Sequence, residues 1–177
     1  MVCGGKRTEP DYFVGLKAHL RNPAVHVRLK AKGCAPEDLV AYARAIASPG
    51  GDEFDEVWCV VDSDEYDLES AARLASEQGV RLAVSNPCFE LWLLLHHRDH
   101  TAHLGDANAV IRQLTQHVLG YQKNNLRFAD FEPGVTKAVH RAEHLDPTGC
   151  DHDRNPSSGV WRLVRLMMDG GRVSGET

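Results

Sequence analysis

The chain has 177 residues, of which 42% are hydrophobic and 25% are charged, and its formal net charge is −5. This length and apolar content suit one domain with a core of ordinary size, and they exclude a disordered chain. The negative charge provides no overall field that would draw the protein onto nucleic acid, so any such site must be a local patch. No apolar run approaches the roughly 18 residues that cross a bilayer, and the first residues lack the basic and apolar regions of a secretion signal.

The cysteines are widely spaced and contain no CxxC pair, at Cys3, Cys34, Cys59, Cys88 and Cys150. This spacing argues against a zinc ribbon and against a disulfide framework. We therefore expect a cytoplasmic protein in a reducing compartment, with no membrane association. The chain also begins almost inside its first strand, which indicates a truncated, mis-started or economical N-terminus.

The first half of the chain alternates predicted strands with predicted helices. The strands are predicted at Met1–Cys3, Val25–Lys30, Glu56–Asp62 and Val80–Val84. The helices are predicted at Asp11–Leu20, Pro36–Ala47, Asp67–Gln78 and Asn86–His97. This alternation is typical of a doubly wound α/β fold, so we predict a mainly parallel four-stranded sheet, whose third strand is buried on both faces.

The second half predicts helices and no further strand. Helical patterns cover Asp106–Leu119, Thr136–Leu145 and Ser157–Met168, and a long loop rich in Pro, Gly and Asp covers Asp146–Ser158. We therefore expect an α/β core over residues 1–98 and a helical C-terminal extension over residues 99–177, packed on the same domain.

Polar clusters follow three of the predicted strands, at Gly4–Glu9, Asp62–Glu65 and Ser85–Glu90. In an open α/β sheet, ligands bind beyond the carboxyl ends of the strands. The three clusters are therefore expected to meet at one edge of the sheet.

Asp62 and Asp64 have the spacing of two carboxylates on the same side of an extended chain. Such a pair repels, and a hard cation such as Mg²⁺ relieves the repulsion. The alternative is structural, with Asp62 ending the strand and Asp64 capping the next helix. Glu90 can join the pair, although its segment also resembles an ordinary helix start with Asn86 as the N-cap. Cys88, near that helix N-terminus, is a weaker candidate for a thiolate nucleophile.

Two further groups of residues have both a functional and a structural interpretation. His96 and His100 are spaced i,i+4 and can bind zinc if the helix continues, although a solvated helix end is favoured. Cations at Lys6, Arg7 and Lys123, with ring faces from Tyr121 and Phe128 beside the last of them, suit single-stranded nucleic acid. The alternative is an ordinary solvated surface.

Three blocks of sequence together resemble the RloB-like family of bacterial defence proteins: VCGGKRTEPDYF from Val2, FDEVWCVVDSDE from Phe54 and SNPCFELWLLLH from Ser85. Two shorter blocks, GYQK from Gly120 and NPSSGV from Asn155, extend the resemblance almost from end to end. The resemblance implies a Toprim-like fold and a nuclease that depends on Mg²⁺ or Mn²⁺. Its expected role is the cleavage of RNA or DNA in anti-phage defence.

The chain departs from the family pattern at Gly4, where a glutamate is expected before Gly5. In Toprim enzymes that glutamate is a metal ligand or a general acid/base. We expect Glu9 to lie too far along the chain to replace it without a rearranged loop, which leaves Glu65 or Glu90 to compensate. The alternative is a catalytically impaired protein that binds nucleic acid or a partner protein.

Our hypothesis from the sequence is a metal-dependent nuclease. Asp62 and Asp64 would hold the cation, and Glu90 would be a third ligand or orient the attacking water. The phosphate contacts would be Lys6, Arg7, Lys123 and His96, and Ser85 and Asn86 belong to the same polar edge. The expected partners are nucleic acid, a defence-system protein and a second copy of the chain.

Overall fold

The computed structural model describes residues 1–21, 30–31, 34–47, 54–63 and 68–170. Its strands are β1 (Val2–Cys3), β2 (Lys30–Ala31), β3 (Val57–Asp62), β4 (Val80–Asn86) and β5 (Ser157–Ser158). Its α-helices are α1 (Thr8–Leu20), α2 (Pro36–Ala47), α3 (Leu68–Gln78), α4 (Phe89–Leu95), α5 (Ala107–Leu114), α6 (Val135–Leu145) and α7 (Val160–Met168).

The strands form one sheet in the order β2-β1-β3-β4-β5. The first four are parallel, as predicted, whereas β5 pairs antiparallel with β4 and makes the sheet mixed. The prediction of a helix from Ser157 is therefore wrong: Ser157 and Ser158 extend the sheet, and α7 begins at Val160. Of the strand predicted at Val25–Lys30, only Lys30 lies within the described residues.

Helices cover both faces of the sheet, as the buried strand β3 requires. Trp58 and Val60 point into one core together with residues of α1, α4, α5, α6 and α7. Cys59 and Val61, the alternate residues, point into a second core with residues of α2 and α3. The continuous apolar run of β3 is thus explained by burial on both sides.

Helix boundaries agree best with prediction where local signals are strong. The bounds of α2 are those predicted, and α3 ends before Gly79, whose φ of +64° favours glycine. The start of α4 differs, because Asn86 still belongs to β4 and Cys88 is the N-cap. Within the described ranges, no helix is both long and apolar enough to cross a bilayer.

His96 follows α4 and lies in the core rather than at a solvated helix end. Its Nδ1 lies 2.8 Å from the carbonyl oxygen of Phe131, and its Nε2 lies 3.2 Å from the hydroxyl of Tyr12. Since the carbonyl can only accept, Nδ1 carries the proton and Nε2 accepts from the tyrosine, which defines a neutral ring. His96 therefore has a structural role and no open nitrogen for a phosphate. Because α4 ends at Leu95, the i,i+4 spacing of His96 and His100 is not held on one helix.

The neutral ring predicts a loss of stability in acid. Burial lowers the pKa of His96 to about 3, so between this value and about 6.5 only the unfolded chain takes up the proton. Stability from His96 is fully present above about pH 6.5 and falls as the pH decreases below it. We expect His96→Gln to show a shallower fall in melting temperature between pH 6.5 and 5 than the wild-type protein. The exposed His103, changed to Gln, should leave the wild-type slope intact, and equal slopes in all three proteins would contradict the assignment.

Candidate active site

A cavity of about 220 Å³ lies at the carboxyl ends of the parallel strands. It is lined by the turn from Gly4 to Glu9 after β1, by Pro36 at the start of α2, and by Asp62 at the end of β3. Lys123 and Asn124, from the loop after α5, complete the lining. The structure thus brings the first polar cluster and Asp62 of the second to one cavity, together with a segment from the second half of the chain.

Asp62 joins the end of β3 to the start of α4. Its Oδ1 accepts a hydrogen bond of 2.9 Å from the backbone N–H of Phe89, the first residue of that helix. This bond satisfies one of the N–H groups that a helix start leaves without a partner. Asp62 therefore caps a helix, but a different one from the helix that follows it in sequence. Asp64 and Glu65 lie outside the described residues.

The helix-capping bond predicts that two substitutions of Asp62 differ in stability. Asp62→Ala removes the acceptor and is expected to lower the free energy of unfolding by about 0.5–2 kcal/mol. Asp62→Asn keeps an oxygen that can accept from Phe89 and should retain most of this stability. Urea unfolding followed by circular dichroism compares the two. Equal losses in both variants would show that the bond to Phe89 contributes nothing measurable.

Glu90, the second residue of α4, is a fully buried carboxylate. Its Oε1 accepts a hydrogen bond of 3.2 Å from the hydroxyl of Tyr121. Its Oε2 lies 3.5 Å from Nζ of Lys123 and has no hydrogen-bond partner within the described residues. Burial lowers the pKa of Lys123, but the negative charges of Glu90 and Asp62 outweigh this effect and raise it overall. Lys123 is therefore an ammonium ion beside the Glu90 carboxylate, and it lines the same cavity as Asp62.

Cys88 does not have the environment of a reactive thiol. Its side chain is fully buried. Burial raises its pKa, and the charges of Glu90 and Asp62 raise it further. The hypothesis of a thiolate nucleophile at the start of α4 is therefore wrong, because two carboxylates oppose the effect of the helix N-terminus.

Glu9 belongs to the same site, contrary to the expectation that it lies too far along the chain. It is buried in the first turn of α1, and its carboxylate folds back over Gly5 so closely that a Cβ there would overlap it. Burial raises the pKa of Glu9, and the charge of Glu90 adds to this, while backbone N–H groups and Lys123 partly oppose it. The one signal in the sequence was a glutamate one helical turn after a Gly-Gly pair.

The space around the Gly4-Gly5 pair, rather than its backbone conformation, explains the glycine at position 5. Neither residue has a positive φ, so the turn does not need the conformational freedom of glycine. Gly5 instead leaves space for the Glu9 carboxylate. At Gly4 a Cβ would lie 3.3 Å from the backbone oxygen of Val60, so a side chain there requires this backbone to shift by a few tenths of an ångström.

The remaining predicted site residues fall into two groups. Lys6 and Arg7 are exposed and line the cavity, where they can meet an anionic ligand. Ser85 and Asn86 are instead directed to the β5 region, where Ser85 Oγ lies 2.9 Å from Ser158 Oγ and Asn86 donates to the backbone oxygen of His152.

The ring of Phe128 packs on α1, close to Tyr12 and Gly15. Phe128 therefore helps to build the core around α1.

The side chains of the site determine which kind of metal ion they can hold. In the part of the chain that the structure describes, no group of three or more His, Cys, Asp and Glu side chains could hold a metal ion. Mg²⁺ commonly takes only one or two carboxylates and keeps several waters. Asp62 and Glu90 supply oxygen donors of this kind, and Glu90 Oε2 is buried without a hydrogen bond. The donors fit a hydrated Mg²⁺ or Mn²⁺ better than a fully protein-bound metal.

The fold and the site define an α/β protein with a cavity, lined by both acidic and basic side chains, at the carboxyl ends of its parallel strands. The family model described as RloB-like protein matches residues 1–167 of the chain. The chain therefore belongs to the RloB-like protein family. No curated protein and no solved structure matches it significantly.

Proposed function

We propose that this protein is a Toprim-like nuclease that hydrolyses phosphodiester bonds in RNA or DNA with the help of Mg²⁺ or Mn²⁺. The observation that carries the proposal is that Glu9 and Asp62 line one cavity together with Lys123, whose ammonium group lies 3.5 Å from the buried carboxylate of Glu90. Carboxylates crowded in this way repel one another, and a hard divalent cation relieves the repulsion.

The residues of the site divide between cation binding and phosphate binding. A bound divalent cation would activate water and stabilise the charge that develops on the phosphoryl group. Asp62 and Glu90 supply its carboxylate oxygens, and Asp64, two residues beyond Asp62, is the further ligand that the sequence predicts. Lys6 and Arg7, on the exposed rim, bind the phosphates of the nucleic-acid strand.

The biological role that we propose is anti-phage defence. It rests on membership of the RloB-like family and on the resemblance in the sequence. A defence nuclease acting in the cytoplasm would need control by a partner protein or by assembly with a second copy of the chain.

The absence of an acid at Gly4 supports a second candidate, a binding protein without catalytic activity. A nuclease assay on transfer RNA and plasmid DNA, with and without Mg²⁺, separates the two functions. Cleavage by the wild-type protein that is lost in Asp64→Ala supports the nuclease. Cleavage that appears only in Gly4→Glu would contradict it and favour the binding protein.

The assay is paired with a direct measurement of cation binding. Calorimetry and thermal shift are expected to detect Mg²⁺ binding to the wild-type protein and its loss in Asp62→Asn. If saturating Mg²⁺ produces neither heat nor stabilisation in the wild-type protein, the proposed metal site is wrong.

A further inference from the structure

One loop of the helical half contacts both oxygens of Glu90. Tyr121 donates a hydrogen bond of 3.2 Å to Oε1, and Lys123 Nζ lies 3.5 Å from Oε2. The hydroxyl of Thr8 donates to the backbone oxygen of Lys123, which ties this loop to the start of α1. Two side chains with different chemistry are therefore fixed around a single buried carboxylate.

We infer that Tyr121 and Lys123 set the affinity of Glu90 for a divalent cation in opposite directions. Tyr121 is a positioning residue that strengthens cation binding. Lys123 is the positive partner of Glu90, and a divalent cation must displace its ammonium group in order to bind. Lys123 therefore weakens cation binding. This inference rests on the proposed function, because it takes Glu90 as a cation ligand.

Tyr121 orients the carboxylate of Glu90. Glu90 is 0% exposed, so no bulk water holds its oxygens in place. The Tyr121 hydroxyl lies 3.2 Å from Oε1 and donates to it, because a carboxylate oxygen can only accept. With Oε1 occupied in this way, Oε2 is the oxygen left for a cation. Hydrogen bonds that orient a metal ligand typically contribute about 10- to 100-fold to metal affinity.

Lys123 neutralises the charge of Glu90. A buried carboxylate is costly without a positive partner, and the Lys123 ammonium is the cation that lies nearest to Oε2. The separation of 3.5 Å is longer than a good hydrogen bond, and the lysine side chain is 50% exposed. The ammonium can therefore leave Glu90 for solvent when a divalent cation arrives. Once released, it is free to bind a substrate phosphate, which accounts for both its present contact and its predicted role.

The test is a set of Mg²⁺ titrations by calorimetry on the full chain. Tyr121→Phe is expected to bind Mg²⁺ about 10-fold more weakly than the wild-type protein. Lys123→Met is expected to bind it about 3- to 10-fold more tightly, because the competing charge is absent. Lys123→Arg keeps the charge and should bind no more tightly than the wild-type protein.

Two matched variants control for nonspecific effects. Lys6→Met removes a charge from the rim of the same cavity, and its Mg²⁺ affinity should rise less than that of Lys123→Met. Tyr42→Phe removes a hydroxyl from α2, on the other face of the sheet, and should leave the affinity unchanged. Circular dichroism without metal establishes that each variant folds.

The outcomes separate the inference from the proposed function. If the wild-type protein binds Mg²⁺ and Asp62→Asn does not, but Lys123→Met binds equally or more weakly, Lys123 is only a structural ion-pair partner and the inference is overturned. An unchanged affinity in Tyr121→Phe overturns the part that concerns Tyr121. No Mg²⁺ binding in the wild-type protein overturns the proposed function itself. If Lys123→Met does not fold, Mg²⁺ added to the wild-type protein should shift the NMR signal of the Lys123 side chain, and an unshifted signal at saturation contradicts displacement.

Discussion

Glu90→Gln is expected to lower the rate of nucleic-acid cleavage by about 10²- to 10⁴-fold, the range found when a catalytic acid or base is removed. The substitution keeps the shape of the side chain and an oxygen that accepts from Tyr121, but it removes the charge. Glu90 is fully buried, and the neutral amide of glutamine is a weaker ligand than a carboxylate for a hard divalent cation. The half-exposed Lys123, left without its partner, can turn to solvent.

Single-turnover cleavage at saturating Mg²⁺ is the measurement for this variant. Glu77, an exposed glutamate on α3, provides the matched control, and Glu77→Gln should cleave at the wild-type rate. If Glu90→Gln retains wild-type activity while remaining folded, Glu90 serves only to hold Lys123 and Tyr121 in place.

Gly5→Ala is expected to have the second largest effect, although it changes no charge. The new Cβ would overlap the carboxylate of Glu9, so Glu9 must leave its position beside the cavity. Since losing one supporting carboxylate typically costs about 10- to 100-fold in metal affinity or activity, we expect a loss of that size. Mg²⁺ titration and the cleavage assay measure it.

Gly105→Ala is the control for this glycine substitution. A Cβ at Gly105 would meet no atom within 4 Å, so Mg²⁺ affinity and cleavage should both remain at wild-type values. If Gly5→Ala also has wild-type affinity and activity, Glu9 contributes nothing to the site, and the site consists of the residues on β3, α4 and the loop of Lys123.

Most of the sheet could be predicted because its signals are local. The apolar run of β3 and the alternation of strands with helices predict four parallel strands. The described residues form these four strands in one sheet. The strand β5 could not be predicted in this way, since it has only two residues and exists because Ser157 and Ser158 pair with the end of β4. The start of α4 was misplaced because Pro87 is a strong helix-start signal, while tertiary pairing keeps Asn86 in the strand.

The candidate site, like the sheet, contains some residues that local sequence patterns identify and others that only tertiary contacts bring to it. The rule that ligands bind at the carboxyl ends of strands selected Asp62 and Glu90 as candidates. The rule carries no information on Tyr121, which reaches Glu90 across 31 positions of sequence. Glu9 was missed because its position depends on how its side chain folds back over Gly5. Histidine is a common site residue, so the sequence offers His96 as a phosphate contact. Its packing against Tyr12 and Phe131 depends on residues far apart in the chain, which local sequence patterns do not show.

The proposed nuclease requires a divalent cation to bind between the carboxylates at the end of β3 and the start of α4. The most direct measurement is an anomalous difference map from crystals soaked in Mn²⁺. We predict a peak about 2.0–2.5 Å from carboxylate oxygens of both Asp62 and Glu90, the range of oxygen–cation distances for such ions. An anomalous map at saturating Mn²⁺ with no peak at these two residues would contradict the proposal. Ordinary electron density that still places Lys123 against Glu90 would contradict it as well.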